Sequence, residues 1–458
     1  MTEKAAAGGL DSVPVLELDP LIDDRGTRII VCCGAGGVGK TTTAAALGVR
    51  AAERGRRVVV LTIDPARRLA QSMGIDSLDN TPRKVDGIKG SDGGELHAMM
   101  LDMKRTFDEI VEAHADPERA QAILRNPFYQ SLSAGFAGTQ EYMAMEKLGQ
   151  LRARDEWDLI VVDTPPSRSA LDFLDAPKRL GSFLDGTFIK LLMAPAKVGG
   201  RAGMKFLNVG MSMMTGTLGK LLGGQFLKDV QTFVAAMDTM FGGFRTRADA
   251  TYKLLQAPGT AFLVVATPER DALREAAYFV ERLAAEEMPL AGLVLNRVHG
   301  SGAVRLSAER ARAAAENLDE GRIVDQGGGK AELRGSPATK PEPSDLATAA
   351  AIPPTEAAPT AEPAAQHDDA VADTDTRTDS EQHPDMDVDV RMLTAGLLRL
   401  HAERMRVLAR EQRTRDRFTA LHPEVAVAEV AALPGDVHDL AGLRAIGDRL
   451  TAGRMPSP

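Results

Sequence analysis

The sequence predicts a doubly wound α/β fold built on a mostly parallel sheet, and three observations carry that expectation. Short apolar runs rich in β-branched residues alternate with helical stretches along most of the chain. The runs are continuous instead of alternating with polar residues, so both faces are to be covered, as in a parallel sheet between helix layers. The first run also leads through a glycine-rich loop directly into a strong helix-forming stretch, the strand–loop–helix unit of such folds.

The runs are Arg28–Cys33 (RIIVCC), Val58–Ile63 (VVVLTI), Leu159–Val162 (LIVV), Ala261–Ala266 (AFLVVA), Leu290–Leu295 (LAGLVL) and Val425–Val430 (VAVAEV), with Leu96–Asp102 (LHAMMLD) as a further candidate. Residues 104–150 and 178–256 read as helical and form an inserted helical subdomain. Residues 1–26 read as a polar, flexible lead-in. The stretch 325–388 is built from Ala, Pro, Thr, Asp, Glu and Gly with few large apolar side chains, too few to offset the entropy of ordering, so it is expected as a disordered linker. Helical periodicity returns over Arg391–Leu421. The α/β domain is therefore expected over 27–324 and 389–458, the linker being an insertion within it.

The net charge of −9 is unevenly placed. Lys340–Asp389 holds thirteen acids against two bases, or −11, which leaves about +2 for everything else. No basic nucleic-acid-binding surface is expected. The two cysteines, Cys32 and Cys33, are adjacent in an apolar run, which excludes a disulfide framework. The N-terminus has no secretory apolar region, and no apolar run reaches the roughly 18–20 residues of a membrane helix. A cytoplasmic protein is expected, with visits to a membrane surface left open.

The loop is Gly34-Ala35-Gly36-Gly37-Val38-Gly39-Lys40-Thr41, followed by Thr42 and an alanine-rich helix opening. Its glycines let backbone N–H groups turn inward around phosphate oxygens, and the helix N-terminus adds a favourable dipole. Lys40 is positioned for the β- and γ-phosphates of ATP and the Thr41 hydroxyl for Mg²⁺, so Gly34, Gly36, Gly37, Val38, Gly39, Lys40, Thr41 and Thr42 are the nucleotide-binding candidates.

Together with Ile63-Asp64-Pro65-Ala66 and Val162-Asp163-Thr164-Pro165-Pro166, this loop resembles the ArsA family of anion-pump and tail-anchored-protein-targeting ATPases. Gly138–Glu146 (GTQEYMAME) and Leu171–Pro177 (LDFLDAP) look like its bacterial branch. The resemblance implies a P-loop NTPase of the deviant Walker A class, an ATPase that works as a dimer. It implies that Asp64 is the catalytic, water-orienting and Mg²⁺-linked carboxylate acting with Lys40. Asp163 would be the Walker-B-type aspartate on the metal, and Asp163, Thr164, Pro165, Pro166 and Ser167 the switch that senses the γ-phosphate. Asn296 would contact adenine and Pro434 would lie in the segment closing over it.

Three departures narrow this. Position 35 carries a lysine in most of the family, reaching the partner's nucleotide, and Ala35 has no charge to offer. A heterodimer with a lysine-bearing paralogue is therefore favoured over a homodimer. No Cys-x-x-Cys exists for a zinc clamp or an iron–sulfur cluster, and two strand cysteines are a poor metalloid site. Apart from these departures, the 181–243 stretch is rich in Met and Phe. Met204, Met211, Met214, Phe226, Met237 and Met240 either line an adaptable groove for a hydrophobic or membrane-protein client or fill an ordinary helical core. An ATP-switched dimer leads. A weakly hydrolysing, nucleotide-binding regulatory subunit and a positioning ATPase of the MinD/ParA type are the alternatives.

Overall fold

The apolar runs become the strands β1 (Ile29–Cys33), β2 (Arg57–Thr62), β4 (Glu95–Met100), β5 (Leu159–Asp163), β6 (Thr260–Ala266), β7 (Leu290–Val298) and β8 (Val427–Ala431) in a computed structural model of the chain. A two-residue strand that the sequence reading did not foresee, β3 (Arg83–Lys84), adds an antiparallel edge. The eight lie in one sheet, ordered β3-β4-β2-β5-β1-β6-β7-β8, and every pairing except β3 with β4 is parallel. The structure describes residues 14–63, 67–90, 93–127, 129–130, 139–165, 243, 246–325 and 384–452. Asp64, Pro166, Ser167, all six candidate groove residues from Met204 to Met240, and the acidic stretch 326–383 lie outside the described residues.

The pleat sorts successive side chains of the central strand into two cores. Ile29, Val31 and Cys33 of β1 join one apolar cluster and Ile30 and Cys32 the other, all without measurable exposure. Helices α6 (Thr139–Arg154) and α7 (Arg270–Ala285) cover the first cluster through Leu148, Leu151, Phe279 and Leu283. Helices α2 (Lys40–Glu53) and α10 (Leu440–Thr451) cover the second. Alanines at 44–46 give α2 both helix propensity and a thin waist. Gly48 completes the fit, since a Cβ there would lie 2.6 Å from Val60 Cγ2. Helices α4 (Met103–His114) and α5 (Pro117–Leu124), each with an aspartate cap accepting from the third residue on, occupy part of the expected helical subdomain. Residues 246–256 are helical as well.

The lead-in departs from expectation. Residues 14–26 are not a loose tail: Val15 bridges Val427 in parallel register, and the short helix α1 (Leu18–Asp23) buries Leu18 and Ile22 completely. Polar composition hid two anchors. Asp19 and Asp23 on α1 pair with Arg50 on α2 and Arg54 at its C-cap, the Arg50 Nε–Asp19 Oδ1 distance being 2.6 Å. Arg56, only 2 % exposed, donates to the carbonyl oxygens of Ile22, Asp24, Thr27 and Asp158 at 2.5–3.2 Å.

The chain divides into two compact units: Met1–Val304 with Arg406–Pro458, and Arg305–Met405. In the smaller unit, α8 (Ala308–Asp325) and the first part of α9 (Pro384–Leu421) are joined by an Arg399–Asp319 ion pair and by His401 Nε2 donating to Leu306 O at 2.7 Å. Helix α9 starts at Pro384, four residues ahead of the expected end of the acidic linker.

Candidate nucleotide site

The loop between β1 and α2 can take its shape only with glycine at two places. Gly34 has φ +147°, and a Cβ there would fall 2.1 Å from Val265 O on β6. Gly39, the N-cap of α2, has φ +95°, and its Cβ would meet Asn296 Nδ2 at 2.2 Å. Gly36 and Gly37 form the exposed crest, while Val38 is buried. The result is a backbone turn placed on the N-terminus of a 14-residue helix, where N–H groups and the helix dipole favour an anion.

Lys40 is the first residue of α2 and is 5 % exposed, its Nζ donating to Ala35 O at 2.8 Å across the loop. Next to it, Thr41 Oγ1 donates to Asp163 Oδ2 at 2.6 Å, and Thr62 Oγ1 donates to the same oxygen at 3.0 Å. Asp163 ends β5 and Thr62 ends β2, so two carboxyl strand ends converge on the helix that follows a third. Ligands of open parallel sheets sit at that end. Asp163 and Thr62 are fully buried. A hydroxyl beside a buried carboxylate is an all-oxygen donor set of the kind a hard divalent cation such as Mg²⁺ takes, usually with waters and phosphate oxygens completing the shell. The residues present fit that ion. Among the described residues no group of three or more His, Cys, Asp or Glu side chains could hold a metal, which such a site does not require.

The segment after β5 is tied down at its start. Thr164 donates to Cys32 O through its N–H at 3.2 Å and through Oγ1 at 2.9 Å, and Pro165 is half-buried. Ile63, directly ahead of Asp64, donates its N–H to Asp163 O at 3.0 Å. Its carbonyl accepts from Gln140 Nε2 of α6 at 3.1 Å. Gln140 was inside a stretch singled out by sequence but had no role there, because a contact 77 positions away leaves no local signal.

Asn296 is read from sequence as an adenine contact. In the structure its amide reaches the phosphate loop: Nδ2 donates to Val38 O at 2.8 Å, and Oδ1 accepts from Arg297 N at 2.9 Å. The β7–β8 register shifts between Leu295 and Val298, and Arg297 has φ +58°. That bulge aims Asn296 at the loop. Pro434 is exposed in the turn after β8, and among the described residues no hydrogen bond joins it to the loop.

Burial also governs the cysteines beneath the loop. Desolvation, with Asp163 nearby, raises the Cys32 thiol well above its usual range, and burial pushes Cys33 up to about 12. Both are neutral apolar fillers at physiological pH.

Comparison with known proteins agrees with this geometry. The sequence profile of the anion-transporting ATPase family, ArsA_ATPase, matches residues 27–314. The chain is 26 % identical over 309 residues to ATPase GET3 of Podospora anserina, an alignment covering 66 % of this chain and 83 % of that one. It is 31 % identical over 163 residues to ATPase GET3 of Malassezia globosa, covering 36 % and 46 % of the two chains. To ATPase ARSA2 of Chlamydomonas reinhardtii it is 28 % identical over 318 residues, covering 67 % and 79 %.

Proposed function

The chain belongs to the anion-transporting (ArsA) ATPase family and is an ATPase, and on that premise we propose that it works as a Mg²⁺-dependent, dimeric ATP switch whose active unit pairs it with a lysine-bearing paralogue. The observation that carries the metal-dependent switch is the Thr41–Asp163 bond at the foot of the loop, with Thr164 following on the same strand end. In this reading the loop amides and Lys40 hold the phosphates, and Thr41 and Asp163 hold the metal. When bound, Mg²⁺ supplies positive charge against the phosphate oxygens. Asp64, next to Ile63 at the end of β2, orients the attacking water. Lys40 exchanges its contact with Ala35 O for the phosphate oxygens. Thr164 and the residues after it respond to the γ-phosphate, and the Met-rich segment around Met204–Met240 is where a hydrophobic client would dock.

The Ala35 side chain supports the paralogue. It is 8 % exposed and packs within the second apolar cluster, so it offers a neighbouring subunit neither length nor charge. The test is isolation of the native complex and assay of it beside the chain alone. Turnover is expected from the complex and to be at least about 100-fold lower with Asp64→Asn, the usual scale for a lost proton-handling or water-orienting group, while ATP binding is kept. Unchanged turnover in that variant would refute the role of Asp64. A homodimer of this chain alone with full activity would refute the paralogue.

A further inference from the structure

Helix α9 carries a row of large apolar side chains with nothing of the described chain laid over them. Val390, Leu393, Leu397 and Leu400 are 60, 66, 58 and 64 % exposed. Their spacing of three, four and three residues is that of the a and d positions of a coiled-coil heptad. The other side of the helix is occupied. Ala395 and Ala402 are buried, and they stand about 140–160° round from Leu397 at 100° per residue. Arg399 pairs with Asp319 and His401 bonds to Leu306 O, both on or beside α8. Among the described residues the row is therefore an uncovered seam on a helix already held from behind.

We propose that this seam is a self-association surface, in which α9 of one copy pairs antiparallel with α9 of a second copy of the same chain. Two features select that occupant. The first is symmetry: the three-four-three spacing reads the same from either end. A two-fold axis beside Ala395 lays Val390 against Leu400 and Leu393 against Leu397 of the other copy, and the contact closes on itself. The second is charge. Pro384–Met392 holds Asp385, Asp387, Asp389 and Arg391, net −2, whereas Leu400–Arg406, leaving aside Arg399 which Asp319 already pairs, holds Glu403, Arg404 and Arg406, net +1. Antiparallel pairing sets the acidic end of each helix against the basic end of the other. Parallel pairing would set like on like, and unlike charges flanking the seam are what fix partner and direction in such pairs.

Size sets the strength. At on the order of 100 Å² of apolar surface per side chain, the eight side chains of a pair fall below the roughly 1,200 Å² of a stable stand-alone interface. The contact is thus reversible, and it adds to any nucleotide-dependent pairing elsewhere in the molecule. It does not depend on the reading of Asp64 or of a paralogue.

The experiment uses the full chain without nucleotide, so that ATP-driven closure contributes nothing. Sedimentation equilibrium is expected to show concentration-dependent dimers, with the dissociation constant at least tenfold weaker in a Leu393→Glu, Leu397→Glu variant. Trp157, the only tryptophan, reports by its fluorescence on the larger unit, and an unchanged far-ultraviolet circular dichroism spectrum reports that the helices of the smaller unit are kept in the variant. Direction is read by oxidative cross-linking, which buried Cys32 and Cys33 do not confuse. A mixture of Val390→Cys and Leu400→Cys chains is expected to cross-link, and Val390→Cys alone is not. Cross-linking of Val390→Cys with itself would overturn the antiparallel arrangement. A monomer at all concentrations, or a dimer indifferent to the two glutamates, would overturn the surface altogether.

Discussion

Asn296 shows how much one side chain can do at this site. Its amide spans from a bulge in β7 to Val38 O, and Gly39 is excluded from carrying a Cβ by that same nitrogen. A strut to the loop and a contact to the base make different predictions. Asn296→Asp keeps the shape but turns a donor toward Val38 O into an acceptor, which is expected to weaken ATP about tenfold, near 1.4 kcal/mol. If Asn296 holds the loop, inorganic triphosphate weakens in parallel with ATP. If only ATP weakens, the side chain reads the base. Titration of both ligands against the variant decides between them. The phosphate loop itself was legible in the sequence because its chemistry is contiguous: glycines, lysine and threonine follow each other from Gly34 to Thr41. Asn296, which holds the loop at Val38, and Thr62, which holds the Asp163 carboxylate, were not legible as such, because they arrive from strands 258 and 101 positions distant from the groups they bind.

The C-terminal end of α1 and the turn after it are gathered by a single buried arginine. Arg56 gathers four carbonyl oxygens from α1, the turn after it and the loop before β5. Arg56→Met fills similar space but leaves those carbonyls without their charged donor. The cost is on the order of 3 kcal/mol, read as a lower denaturant midpoint. Amide exchange over residues 14–27 is expected to rise well above that of β1 in the same variant, since the anchor is local. Protection of 14–27 equal to that of β1 would mean that apolar burial of Leu18 and Ile22 alone holds the segment. Sequence patterning caught six of the strands because each is largely buried on both faces and so reads as a mostly apolar run, with the partly buried β4 as a further candidate. It missed β3, whose two residues are both exposed and polar. It missed α1 for a similar reason: two apolar residues among acids look like a tail until the arginines that neutralise the acids are brought to them by folding.

For the larger unit, one component of the pH dependence of stability comes from His97. His97 on β4 packs against Trp157 with ring centroids 4.7 Å apart and planes tilted by 59°, and burial holds its pKa below the ordinary 6.5. The unfolded chain therefore takes up a proton that the folded chain refuses. Stability from this group is complete above about pH 6.5 and declines as pH falls through the window down to the folded pKa, below which it levels off. His97→Gln is expected to flatten that part of the profile between pH 7.5 and 5, followed by Trp157 fluorescence in urea. A variant profile parallel to the parent's would show that other groups carry it. The doubly wound architecture was legible at this scale from six apolar runs and one loop, because alternation of strand and helix fixes how such a chain winds.

One pairing also sets a timetable. Val15 and Leu16 find their partner in Val427, the outermost strand on that side of the sheet. At about 5–20 residues per second, on the order of 20–80 s pass between the synthesis of the two. Throughout that interval the Pro14–Leu16 segment has no strand to join, and from the completion of β7 until β8 emerges β7 has an open edge. The segment and the β7 edge stay unpaired until β8 emerges, and any ribosomal pause ahead of β8 lengthens the exposure.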